Sequence, residues 1–175
     1  MGSELVTEKV DILLVDDSPE KLLALESVLS ELGQNLVKAA SGREALRLLL
    51  KQDFAVILLD VSMPVMDGFE TASLIRQRKN SEFTPIIFIT AVGGAETHQA
   101  KGYSLGAVDY IFSPILPEVL KTKVAVFVEL HRKAQQVRRL NEELKRTYSI
   151  DLDTQTSNLI LYFDFLSRDI GRSVE

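Results

Sequence analysis

The sequence predicts an open α/β sheet of five parallel strands, doubly wound with helices on both faces. Two observations predict it. Five short apolar runs rich in branched residues recur along the chain, and a helical apolar pattern follows each, usually after a turn or capping residue. Runs apolar throughout are strands covered on both sides, and their alternation with helices imposes parallel pairing through right-handed crossovers.

The first run is VDILLV, Val10 to Val15, and it stops at Asp16 and Asp17. Ser18 and Pro19 then provide an N-cap and a first-turn proline, and Leu22, Leu25, Leu29 and Leu32 recur at helical spacing until Gly33. NLVKAA is the second strand, and Ser41 caps a helix through Leu50. FAVILLD is the third, followed by a turn with Pro64 and Gly68 and a helix from about Phe69 to Arg78. TPIIFIT is the fourth, followed by Gly93 and Gly94 and a helix reaching about Leu105. AVDYIF is the fifth, followed by Ser113, Pro114 and a long helical pattern.

The 175 residues suffice for one sizeable core with a short extension. Twenty basic and 25 acidic side chains give a net charge of −5, so the composition points to no nucleic-acid surface. The absence of cysteine excludes disulfides, thiolate metal sites and a cysteine nucleophile, and suits a reducing cytoplasm. His98 and His131, both on polar helical patterns, are too few for a histidine-rich metal site. No run is long enough to span a bilayer, and the first residues do not read as a secretion signal, so a cytoplasmic protein is expected.

A carboxylate ending a wholly apolar strand is costly unless it emerges at an edge or meets a cation. In such sheets, ligands bind beyond the carboxyl ends of the strands, where this chain presents Asp16, Asp17, Asp60, Thr90 and Ser113. Three carboxylates gathered there repel one another unless a cation intervenes, and oxygen-only ligands favour Mg2+. A carboxylate beside Mg2+ can attack a phosphoryl group, and the Thr90 hydroxyl can hydrogen-bond the added oxygens.

These residues carry a family resemblance. LLVDDSP, LLDVSMPVMDGFE, IIFITA and GAVDYIFSPI stand in the order and at the spacing of a response-regulator receiver domain of two-component signalling, and the likeness runs from about Val10 to Leu130. The resemblance implies a flavodoxin-like strand order 2-1-3-4-5. It implies Asp60 as acceptor of a phosphoryl group from a histidine kinase or phosphotransfer protein. Asp16, Asp17 and Asp60 would hold Mg2+ with the Ser62 backbone carbonyl, Thr90 would be the switch hydroxyl, and Tyr110 the switch aromatic. One position departs: the family has a lysine where this chain has Ser113, and a neutral hydroxyl does not replace a cation. Lys101 and Lys121 are the lysines considered as substitutes. An interaction module with weak or no phosphorylation is therefore the alternative reading.

The expected organisation is a tail over 1–9, the receiver over 10–130, an extension of the last helix over 131–148, a polar linker over 149–158 and a short helix over 159–171. Leu130, Val137 and Leu144 recur every seven residues with Leu140 at the intermediate seam position, which favours a homodimer through this helix. From Glu129 to Arg146 basic residues exceed acidic ones by three, and no aromatic interleaves them, so a solvated face is expected rather than a nucleic-acid or membrane patch. Asp151, Thr154 and Asn158 faintly resemble the opening of a diguanylate cyclase, with Gln155 and Leu159 where that opening has glycine and arginine. No histidine phosphorylation box or nucleotide-binding motif occurs, so the chain reads as a signalling domain, not an enzyme, though a fragment of a hybrid kinase or cyclase remains a third expectation.

Overall fold

The computed structural model describes residues 8–91, 104 and 109–171, with side chains as far as 146. Along the chain run β1 (Asp11–Val15), α1 (Pro19–Leu29), β2 (Asn35–Ala39), α2 (Gly42–Leu48), β3 (Val56–Asp60), α3 (Gly68–Arg76), β4 (Ile86–Ala91), β5 (Asp109–Ser113) and α4 (Pro117–Gly171). The strands form one parallel sheet in the order β2-β1-β3-β4-β5, as the resemblance implied. Of the helix expected between β4 and β5, only the helical Ser104 is among the described residues, and Lys101 and His98 lie outside them.

Period-two alternation explains why the inner strands β1, β3 and β4 are almost wholly apolar, whereas the edge strands β2 and β5 carry polar residues. Leu13, Val15, Ile57, Leu59, Ile86, Phe88 and Tyr110 join one buried cluster with residues of α2 and α3. Ile12, Leu14, Val56, Leu58, Ile87, Ile89 and Ile111 join a second with Leu22, Leu25 and Leu29 of α1 and Leu120, Val124 and Val128 of α4. All five residues of β3 are buried, the terminal aspartate included.

Local chemistry sets the helix starts. Ser18 caps α1, accepting from the Lys21 backbone amide at 3.3 Å, and Pro19 opens its first turn. The α1 end tightens into a 3-10 turn over Ser30–Leu32, and Gly33 closes it at φ 64°. Ser41 caps α2, and Asp67 with Glu70 forms a reciprocal capping box at α3.

The linker expected over 149–158 is corrected: α4 is one helix of 55 residues through Gly171, and the short helix expected over 159–171 is its last part. Polar composition signals solvation rather than a break, and neither proline nor glycine occurs between residues 118 and 170. The chain divides into two compact units after Arg132. No helix among the described residues is long and apolar enough to cross a membrane.

Gly68 fixes the loop that follows β3. Its amide donates to the Val61 carbonyl at 3.0 Å, and an added Cβ would lie 2.3 Å from the Asp60 carbonyl oxygen and 2.9 Å from Val61 Cα. Both are backbone atoms that cannot yield without moving Asp60. Gly68→Ala is therefore expected to destabilise the fold by about 2 kcal/mol or more, read as a lower urea midpoint. An unchanged midpoint would refute this account of the loop.

Candidate functional site

Asp16 and Asp60 stand side by side because β1 and β3 are neighbours in register. Val15 pairs with Leu59, so the next residue on each strand is an aspartate at the same level. The alternation turns both toward the face covered by α1 and α4. Asp16 is 1% and Asp60 3% exposed, whereas Asp17 is exposed at the rim. Carboxylate oxygens of Asp16, Asp17 and Asp60 all lie within 4.8 Å of one another.

Few partners offset this crowding. One Asp16 oxygen accepts from the Ser18 backbone amide at 2.9 Å, and the Ser62 amide supports Asp60. The second oxygen of each carboxylate, Oδ2, is buried without a hydrogen-bond partner. Lys21, from the first turn of α1, brings its ammonium to 3.6 Å from Asp16 Oδ2 and 3.7 Å from Asp60 Oδ1. Burial, and then the Asp16 charge, push the Asp60 carboxyl up to about 6, against the opposing pull of Lys21. Burial also raises Asp16, opposed by the Ser18 amide and Lys21. Three converging carboxylates with two orphaned buried oxygens are the donor set a hard divalent cation requires, so the residues fit Mg2+.

The remaining predicted residues lie on the adjoining strands. Thr90 is buried near the end of β4, one residue beyond Ile89, the register partner of Asp60. Tyr110 is buried on β5, its ring 5.4 Å from Phe88 and 6.2 Å from Phe112. Ser113, at the end of β5, is exposed and borders a pocket of about 190 Å3 together with Asp16 and Lys21. Ser62 is exposed in the loop after Asp60, where Val65 holds the left-handed conformation at φ 70°, costly for a β-branched residue. Lys121 does not reach the cluster, because it pairs with Glu31 and Glu118. Leu130, Val137, Leu140 and Leu144 of α4 are each just over half exposed.

Lys21 is the residue that sequence reasoning missed. Only part of a signal was present: Lys21 falls in the first turn of a helix whose start was legible from Ser18 and Pro19, directly after the strand that ends at Asp16, but its second partner, Asp60, comes from a distant strand.

The sequence profile of the response regulator receiver domain matches residues 12–125. A probable cyclic di-GMP phosphodiesterase of Vibrio cholerae is 35% identical over 135 residues, which is 77% of this chain and 30% of that protein. The sensor protein EvgS of Escherichia coli is 33% identical over 164 residues, covering 93% of this chain and 14% of the sensor. The chain thus spans less than a third of either relative. Among solved structures, the chemotaxis protein CheY4 of Vibrio cholerae superimposes with a TM-score of 0.64 at 32% identity, over 69% of this chain and 99% of that one.

The raised Asp60 carboxyl makes stability pH-dependent in metal-free protein. The folded state holds this proton more tightly than the unfolded chain, so the stabilisation is complete below about pH 4 and lost as pH rises through about 6. In chelator-treated samples, Asp60→Asn should exceed wild type in stability at neutral pH by on the order of 1–2 kcal/mol, and the gap should shrink toward pH 4. Mg2+ should raise the wild-type melting temperature at neutral pH more than that of the variant. A gap independent of pH in thermal melts would contradict this electrostatic account.

Proposed function

The chain belongs to the response regulator receiver domain family of two-component signalling, and we propose that within it Asp60 is the phosphoacceptor. The observation that carries this reading is the cluster of Asp16, Asp17 and Asp60, with two buried carboxylate oxygens left without partners. Asp16, Asp17 and Asp60 would hold Mg2+ with the Ser62 backbone carbonyl. When bound, that ion supplies charge neutralisation for the incoming phosphoryl oxygens. An Asp60 oxygen attacks the phosphorus of a phosphohistidine on a histidine kinase or phosphotransfer protein. The new O–P bond forms as the N–P bond breaks, and the imidazole nitrogen leaves and takes up a proton. Thr90 then donates its hydroxyl to the phosphoryl group, and Tyr110, already packed among aromatic rings, responds as the switch aromatic. The phosphoryl group biases a two-state equilibrium by contacts available in one state only.

The intact acidic cluster favours this reading over a phosphate-independent interaction module. The cytoplasm is the compartment that a Mg2+-dependent phosphoacceptor without cysteine suits. The output runs along α4 to a homodimer partner or to an output domain. The exposed Leu130, Val137, Leu140 and Leu144 at heptad spacing support that route.

Incubation with a small phosphodonor and Mg2+, read by intact mass, should add a single phosphoryl group to wild type and none to Asp60→Asn. An adduct of equal size on the variant, or none on wild type, would sink the assignment.

The helix proposal has its own check in sedimentation equilibrium. Wild type should associate to a dimer, and Val137→Glu combined with Leu144→Glu should remain monomeric. A monomeric wild type after phosphorylation as well as before would remove the dimer.

A further inference from the structure

The active-site cation is missing from position 113, yet two buried carboxylates still require one. Lys21 meets that requirement geometrically. Its ammonium sits at 3.6 and 3.7 Å from Asp16 and Asp60, and it is the cation paired with them among the described residues. The other described lysines near this face are committed elsewhere: Lys121 to Glu31 and Glu118, and Lys123 to Asp109.

Lys21 and Ser113 also border the same pocket. Its walls include Ala24, Leu25, Ile89 and Leu120, an apolar lining of the kind that accommodates the methylene stem of a lysine. A serine at 113 leaves this space unfilled from the β5 side, and α1 supplies a lysine from across it. Lys21 is 55% exposed, so its ammonium keeps part of its hydration while the carboxylates it faces are buried.

We propose that Lys21 supplies, from α1, the positive charge that this chain lacks at position 113, pairing first with the Asp60 carboxylate and then with the phosphoryl group on it. The inference rests on Asp60 being the phosphoacceptor. An ammonium is a compact charge with three donors on a flexible stem, so it follows the negative charge from carboxylate to phosphoryl oxygen without movement of α1. The only bonds exchanged are the new Asp60 O–P bond and the donor's broken bond to phosphorus. Because the ammonium also neighbours Asp16, it competes with Mg2+ for the same carboxylates.

The test compares wild type, Lys21→Met, Ser113→Lys and the double variant, incubated with phosphoramidate and Mg2+ and read by intact mass over time. Lys21→Met should slow phosphorylation of Asp60 about tenfold or more, the scale of one lost charge-assisted contact. The double variant should recover most of that rate, and Ser113→Lys should gain less alone than in the Lys21→Met background. Calorimetric titration gives a second readout: Lys21→Met should bind Mg2+ more tightly than wild type, an effect that a structural role for Lys21 would not produce. Thermal melts confirm that the exposed substitution leaves the fold intact.

Lys21→Met phosphorylated as fast as wild type would overturn the proposal while leaving Asp60 as acceptor. A double variant no faster than Lys21→Met would overturn it as well. Wild type that takes no phosphoryl group would remove the phosphoacceptor reading and this inference together.

Discussion

Two like charges held together in a place with little water are the constraint on which the rest of this structure depends. Asp16 and Asp60 end neighbouring strands at the same level, and both are almost completely buried. Burial pushes both carboxyls up from their ordinary range, and at Asp60 the neighbouring Asp16 charge adds to the effect. Such a site is electrostatically incomplete without a positive partner. Its state therefore changes with whatever supplies one, whether an ammonium from α1 or a divalent cation.

The surrounding framework keeps this pair from relaxing apart. β1 and β3 lie inside the sheet with both faces covered, so neither strand end can turn to solvent without exposing core. Gly68 packs against the backbone of Asp60 and Val61, and the capping box at Asp67 and Glu70 anchors the loop to α3. Leu120 of α4 borders the pocket that Lys21 and Ser113 share, so the first turns of the long helix lie at the edge of the site.

Much of the fold was legible in the residues, and for identifiable reasons. The inner strands showed because burial on both faces demands continuous apolar runs, and the described helix starts showed in Ser18, Ser41 and the turn before Phe69, where capping chemistry is local. The α4 reading failed over 149–158 because polarity was taken for a break, whereas a helix ends where its backbone is interrupted, and no glycine or proline does so there. Lys21 escaped notice because its role is visible only once Asp60, 39 positions away in the chain, is brought beside Asp16.

The sequence by itself determined the element types, the alternation that makes the sheet parallel, and the presence of carboxylates at strand ends, because periodicity, capping and turn chemistry act between near neighbours. Only the tertiary structure decided which of those carboxylates lose their water, which oxygens remain without partners, and which cation reaches them. Those outcomes depend on distances between residues remote in the chain. Electrostatic interaction in a buried site is set by separation and solvent access, which strand register and helix packing establish together.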